Sequence, residues 1–412
     1  MKIGILTYHC VPNFGAQLQA TSTVGYLKRM GHEAVVLNWY PQDHEDMYAQ
    51  RVPREQIAAH NAHTDTYLPI TQKCRNEKEL INVIEQNNLD AIFVGSDALF
   101  KYVPESKRKI FSIRTLRFIV FNIQSVEKLE GNPFFGGFAG KLNKKIPTVA
   151  FSVSSENCDY HAMKSHEKAT MKAAMDNYSY ISVRDKWTKE MVETITGRTN
   201  IEITPDPVFS FNKNCYIQLP TKEEIIHKFH LKEKYILISF STWYNDAAFI
   251  NQIATETEKR GYQPVAFPMP EKLFAADIKS TIPLPLSPID WYALIAHSSG
   301  YIGERMHPIV VSLHNSVPFF CFDQYGFSKI KLFGFIKEYV KDSSKIFHIL
   351  HQAGLDDYMY SYNECGKLPD SKYILDRIEQ FDKEKCKTFS EKQQERYEKG
   401  MKIVMDSFLE RS

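Results

Sequence analysis

Nowhere in the 412 residues is there an uninterrupted apolar run of roughly 18 residues, so no transmembrane helix is expected. The opening Met1-Lys2-Ile3-Gly4-Ile5-Leu6-Thr7-Tyr8 enters a strand-like run at once. It lacks the apolar core and small-residue cleavage site of a signal peptide, and a cytoplasmic location is the expectation. The seven cysteines (Cys10, Cys74, Cys158, Cys215, Cys321, Cys365 and Cys386) are scattered, odd in number and never spaced as CxxC. Free thiols fit that pattern better than a disulfide framework or a zinc site. Net charge is nearly absent as well: 51 Lys and Arg against 49 Asp and Glu leave +2, and no global field recommends nucleic acid as a partner.

What is present is ordinary globular material, 43% hydrophobic and 24% charged, in a chain longer than one hydrophobic core usually holds. Ile3 to Tyr8 reads as a buried strand, followed by a turn containing Pro12, Asn13 and Gly15. A helical stretch from Ala16 to Met30 is closed by Gly31, and Ala34 to Trp39 is the next strand. This is a βαβ opening of a parallel sheet. The alternation continues through Leu89 to Val94, Pro147 to Val153, a helix near Ala162 to Asp176, and Tyr180 to Val183. After the polar stretch Asn212 to Lys234, a second series runs through Tyr235 to Phe240, Pro264 to Phe267, Gly300 to Gly303 and Pro318 to Phe322. Helices are expected between them near Ala247 to Arg260 and Pro288 to His297.

The expected fold class is therefore α/β, with two Rossmann-like domains facing a cleft. Residues 1–205 form the first, with an insertion near 98–146; residues 206–385 form the second; residues 386–412 make a closing helix. Polar residues fall just past the apolar strands: Ser96 and Asp97, Arg184 and Asp185, Arg305 and His307. In open α/β sheets that edge binds ligands.

Five short segments now stand in order: Asn13-Phe14-Gly15-Ala16, Val94-Gly95-Ser96-Asp97, Ser182-Val183-Arg184-Asp185, Asp206-Pro207 and Gly303-Glu304-Arg305-Met306-His307. Together they resemble the successive signatures of the polysaccharide pyruvyl transferase family. The resemblance implies a GT-B-like pair of Rossmann domains and phosphoenolpyruvate as donor. The product it implies is a cyclic ketal on a sugar of a capsule or exopolysaccharide precursor, made without a metal or other cofactor. It also implies that Arg305, Met306 and His307, matching the family's Arg-aliphatic-His triplet, hold the donor. One departure is that the family commonly follows Gly-Ser-Asp with glutamine and then tryptophan, where this chain has Ala98, Leu99 and Phe100.

The residues suit that chemistry. Phosphoenolpyruvate carries a carboxylate and a phosphate on three carbons, and arginine's planar fork recognises both better than lysine. Arg305 and Arg184 each follow an apolar strand, one in each half. Ketal formation needs a proton delivered to the donor methylene, and His307, titrating near neutrality, is the candidate general acid. Asn13, Gly15, Ser96, Asp97 and Trp243 are candidate acceptor or cleft residues, and His9 is a reserve histidine. Plainer readings stand beside these. Arg305 and His307 also suit the cap of a helix that Pro308 begins, Arg184 suits a surface pair with Asp185 or Glu190, and Asn13 and Gly15 suit a turn. His314 reads as a packed helix residue.

The insertion carries Lys101, Lys107, Arg108, Lys109, Arg114 and Arg117 among many aromatics. The preferred reading is a solvated insertion with a helix packed by Ile113, Leu116, Val120 and Ile123. The sharper one lays it on anionic membrane, as a peripheral contact meeting a lipid-linked acceptor. Two other functions remain open: a GT-B glycosyltransferase using a nucleotide sugar, and a non-catalytic sugar-phosphate binding protein.

Overall fold

Strands of the pattern Ile-Gly-Ile-Leu or Ala-Ile-Phe-Val have no polar face, so they are stable only where helices cover both sides of a parallel sheet. The computed structural model describes residues 1–112, 117–120, 125–240, 246–272, 277–325, 328–331 and 336–409. Its first sheet comprises β1 (Lys2–Leu6), β2 (Glu33–Val36), β3 (Ala91–Val94), β4 (Thr148–Val153), β5 (Tyr180–Val183) and β6 (Glu202–Ile203). Their order is β2-β1-β3-β4-β5-β6, with every pair parallel. The second sheet comprises β7 (Tyr235–Ser239), β8 (Gln263–Ala266), β9 (Ser280–Thr281), β10 (Gly300–Gly303), β11 (Phe319–Asp323) and β12 (Met359–Ser361). Its order is β9-β8-β7-β10-β11-β12, again parallel throughout. These are the two expected Rossmann-like halves. Chain order reverses between β1 and β3 in one sheet and between β7 and β10 in the other, so each half has its own ligand-binding crevice at that point.

Helix α1 (Phe14–Arg29) stands between the halves, and every residue from Phe14 to Leu27 is buried. A helix buried all round must find partners for its polar side chains internally; here the donors of Gln17, Gln19 and Ser22 are engaged, while the amide oxygens of Gln17 and Gln19 have no hydrogen-bond partner among the described residues. Gln17 donates to the carbonyl of His60 at 2.8 Å, Gln19 to Asp206 at 2.5 Å, and Ser22 to the carbonyl of Pro207 at 2.7 Å. The polar stretch Asn38 to Glu77, ambiguous in sequence, contains α2 (Gln42–Arg51) and α3 (Arg54–Tyr67). Two further helices open on the cleft, α4 (Met306–His314) and α5 (Lys345–Ala353). The closing helix α6 (Lys383–Leu409) ties the halves together. Its Cys386 and Phe389 pack in the second core, while Tyr397, Met401, Val404 and Phe408 pack against Ile3, Phe93 and Phe151 of the first.

The helix expected within the insertion is not formed. Lys109–Ser112 and Arg117–Val120 are antiparallel strands paired with each other, while Ile113, Leu116 and Ile123 lie outside the described residues. Ile110, Phe111, Phe118, Ile119 and Val120 explain the outcome, since β-branched and aromatic side chains lose rotamer freedom in a helix and pack well on a pleat. No helix among the described residues is long and apolar enough to cross a membrane.

Candidate active site

The two crevices face each other across a cavity of about 380 Å³. The loop after β1 lines it with Tyr8, Asn13, Phe14 and Gly15, and the loop after β3 with Asp97 and Lys101. From the second half come Ser239, Met269, Trp291, Arg305, Met306, His307 and Lys345.

Asn13 caps α1, its side chain accepting from the amide of Ala16 at 3.2 Å. The capped first turn directs its positive dipole end at the cavity. Gly15 sits in that turn because the imidazole of His307 lies flat against it. A Cβ on Gly15 would stand 2.0 Å from Cγ, 2.2 Å from Nδ1 and 2.4 Å from Cδ2 of His307. His307 itself is mostly buried, 14% of its side chain being exposed. Its Nε2 has no hydrogen-bond partner, and the nearest carboxylate oxygen, on Asp206, is 4.0 Å away. Burial lowers its pKa; Asp97 and Asp206 oppose that shift, and Arg184 and Lys345 reinforce it.

Arg305 is the N-cap residue of α4, yet its side chain makes no cap hydrogen bond. It is exposed in the cavity mouth, and its guanidinium donates to the sulfur of Met269 at 3.1 and 3.2 Å. A thioether is a weak acceptor, and among the described residues no carboxylate pairs with this arginine. Its fork is therefore presented to the cavity.

Arg184 does something else. It lies behind the cavity wall with 3% of its side chain exposed, forked between Asp206 at 2.6 Å and Asp97 at 3.2 Å. Asp206 also accepts from Gln19 and, through its other oxygen, from the amide of Val208 at 3.0 Å. One buried cation thus joins the ends of β3 and β5, the turn after β6 and helix α1. The arginine holds the Asp97 carboxyl below the usual range against the upward push of burial. Asp97 has φ of +149°, a backbone conformation that L-residues rarely adopt and that the surrounding contacts must hold in place.

The remaining candidates divide. Asn13, Gly15, Asp97, Arg305, Met306 and His307 meet in the cavity. Ser96 is buried with its hydroxyl unpartnered, and its carbonyl accepts from Thr7 at 2.9 Å. His9 is buried with both ring nitrogens engaged, by the carbonyl of Thr7 and the side chain of Asn38. His314 is a packed helix residue whose pKa burial pushes down to about 4. Trp243 lies outside the described residues.

Sequence reasoning missed several cavity residues. Lys345 enters from the first turn of α5, where burial lowers its pKa and Glu156 opposes that shift. Glu156 pairs with Lys101 at 3.1 Å. On the first half's wall, buried Glu127 accepts from Tyr8 at 2.5 Å and from the indole of Trp39 at 2.7 Å, with His44 at 3.3 Å, and burial raises its pKa. Trp291, stacked on Phe14 at 5.2 Å between ring centres, supplies the aromatic wall sought at Trp243. No cluster of three or more His, Cys, Asp or Glu side chains among the described residues is arranged to hold a metal ion.

A family model described as polysaccharide pyruvyl transferase matches residues 13–324. No curated protein matches the chain. Among solved structures, Glycyrrhiza uralensis UGT73P12, complexed with glycyrrhetinic acid 3-O-monoglucuronide, is similar at 9% identity and a TM-score of 0.54, over 100% of this chain and 96% of that one. Arabidopsis thaliana UGT89C1 is similar at 11% identity and a TM-score of 0.49, over 99% of each chain. The likeness to UGT73P12 is one of fold, the GT-B arrangement of two Rossmann-like domains.

Proposed function

Because the chain belongs to the polysaccharide pyruvyl transferase family, we propose that it moves the pyruvyl group of phosphoenolpyruvate onto a sugar of a surface-polysaccharide precursor, closing a cyclic ketal in the cytoplasm. The observation that carries this reading is the pairing of an unpartnered, largely buried imidazole nitrogen on His307 with the uncommitted guanidinium of Arg305. A small anionic donor needs both a fixed cationic fork and a proton source within one side-chain length.

In this reading Arg305 grips the donor carboxylate or phosphate, and Lys345 and the first turn of α1 balance the remaining negative charge. His307 gives its proton to the donor methylene carbon, and an acceptor hydroxyl adds to the neighbouring carbon and loses its own proton. Phosphate then leaves with the electron pair of its C–O bond. A second hydroxyl of the same sugar takes its place on that carbon and releases a proton, which completes the ketal. Arg184 and Asp206 act indirectly, holding Asp97 and the floor beneath His307, while Asn13 and Asp97 on the cleft wall meet the acceptor. No metal enters these steps.

The test combines phosphate release from phosphoenolpyruvate with mass spectrometry of a panel of free and lipid-linked glycosides. Phosphate release matched by a pyruvyl mass gain on one acceptor is expected. Donor binding without turnover on any acceptor would favour a sugar-phosphate binding protein. Turnover of a nucleotide sugar instead would favour a glycosyltransferase.

A further inference from the structure

Pyruvyl transfer by the steps above leaves one proton without a recipient. His307 starts protonated and gives its proton to the donor methylene, so it cannot accept from the first acceptor hydroxyl in the same step. Among the described residues four carboxylates line the cavity: Asp97, Glu127, Glu156 and Glu271. Arg184 holds Asp97 at 3.2 Å and Lys101 holds Glu156 at 3.1 Å, which commits both. Glu271 has a buried oxygen without a hydrogen-bond partner, so no donor fixes its aim there. Glu127 differs from all three. Its side chain is 2% exposed, and among the described residues no lysine or arginine pairs with it.

Three segments of the first half build its place. Tyr8 arrives just past the end of β1, Trp39 from the loop after β2, and His44 from the first turn of α2. Ser125 caps the short turn Val126–Lys128 by accepting from the amide of Glu127 at 3.3 Å, and the amide of Val126 donates to Asp43 at 2.8 Å. The carboxylate is therefore held in one orientation. Its Oε1 accepts from the indole of Trp39 at 2.7 Å and its Oε2 from the phenol of Tyr8 at 2.5 Å. Nε2 of His44 lies 3.3 Å from the same Oε2 and 2.8 Å from the hydroxyl of Ser125. Trp39, His44, Ser125 and Glu127 are buried, whereas Tyr8 is half-buried and faces the cavity, its ring packed edge-on against Phe134 at 5.3 Å. Burial raises the pKa of Glu127 and carries that of Tyr8 well above its usual value. A phenol in that setting does not ionise alone; its oxygen takes up a proton only while its own passes to a base behind it. Glu127 stands at hydrogen-bond distance for that passage, and a carboxylate whose charged form burial disfavours is a stronger base than one in water.

We propose that Tyr8 and Glu127 together are the general base of the reaction, Tyr8 meeting the attacking hydroxyl of the acceptor and relaying its proton to Glu127. The assignment rests on the pyruvyl-transfer reading. The acceptor O–H bond breaks toward the Tyr8 oxygen, the phenol proton moves to Oε2 of Glu127, and the freed electron pair forms the new C–O bond. Across a turnover the sugar loses two protons. One restores His307 and the other leaves with the phosphate, so every protein group ends as it began. Tyr8 is the catalytic residue, touching the acceptor, and Glu127 acts through it.

The experiment measures kcat on whichever glycoside of the panel gains the pyruvyl mass, beside calorimetry of phosphoenolpyruvate binding. Tyr8→Phe and Glu127→Gln should each lower kcat by about 10²–10⁴-fold while phosphoenolpyruvate affinity stays within about twofold, because neither group touches the donor. Residues that act as one unit are not additive, so the double variant should lose no more than the worse single one. Losses that multiply, as two independent supports of the fold would give, overturn the relay. So do single variants that keep the wild-type kcat, or a donor affinity that falls as far as the rate. A rate lost in Glu271→Gln and kept in Glu127→Gln would move the base to Glu271 and overturn the assignment too. If the wild-type chain adds pyruvyl to no glycoside of the panel, the pyruvyl-transfer reading fails and the relay fails with it; turnover retained by the variants discards the relay alone.

Discussion

Gly15→Ala tests the geometry most directly, because it adds one methyl group at the contact on which the proposed chemistry depends. The new Cβ would lie 2.0, 2.2 and 2.4 Å from three atoms of the His307 ring. Ordinary carbon contacts are about 3.5–4.0 Å, so the ring or the first turn of α1 must give way by about 1.5 Å. Neither moves freely. His307 is followed by Pro308 in the first turn of α4, and Phe14, next to Gly15, is wedged between the rings of His60 and Trp291 at 4.8 and 5.2 Å. A displacement of that size costs about 10²-fold or more in kcat/KM when the displaced group is the proton donor. Stability should fall as well, since overpacking costs about 1–3 kcal/mol or more and the up to about 1 kcal/mol returned by replacing a helical glycine offsets only part of it. The assay is phosphate release from phosphoenolpyruvate with a competent acceptor, beside a thermal melt. A variant that melts normally and keeps wild-type kcat/KM would refute the reasoning, because it would show that the position of His307 does not matter. Gly25→Ala is the contrasting case. Its Cβ would meet the backbone oxygen of Asn214 at 1.8 Å, so it should lower the melting temperature before it touches the rate.

Arg305→Lys keeps the charge but loses the fork, so calorimetry should find donor affinity reduced by about 1.5–3 kcal/mol; an unchanged affinity removes Arg305 from the donor site. His307→Gln should lower kcat by about 10²–10⁴-fold with donor affinity nearly kept, and a loss of affinity alone would make His307 a pocket wall. A general acid must start protonated, and burial lowers the pKa of this histidine in the free protein. Its contribution to kcat/KM should therefore fall as pH rises through a value below the usual 6.5 or so of histidine, and a rate that rises over that range contradicts the role. Arg184→Met strands the buried carboxylates of Asp97 and Asp206, and urea unfolding should reveal a loss of about 3–5 kcal/mol; a stability equal to wild type would mean the triad is not held as an ion pair. Turnover should persist in a metal chelator, and activity lost with chelator and restored by a divalent ion counts against the proposed steps.

Much of the fold was legible in the sequence because parallel strands buried on both faces are continuous apolar runs, and Tyr180–Val183 and Gly300–Gly303 needed no partner to be recognised. The strand-end motifs were legible for the same reason: loops at the C-terminal edge of such a sheet carry the ligand contacts, and Asn13, Asp97, Arg305 and His307 all follow such strand ends. The Ile113-Leu116-Val120-Ile123 spacing, by contrast, read as a helix, whereas its described part, Arg117–Val120, is a strand, since a short apolar run satisfies either period and local β propensity prevailed. Arg184 and Arg305 looked alike as cations after strands. Only the folded chain distinguishes them, because two distant carboxylates, Asp97 and Asp206, close on one and, among the described residues, none closes on the other. Lys345, Glu127 and Trp291 carry no local signal at all. They join the site through contacts between residues far apart in the chain, and such convergence is decided by how the two halves pack, which no short stretch of sequence encodes.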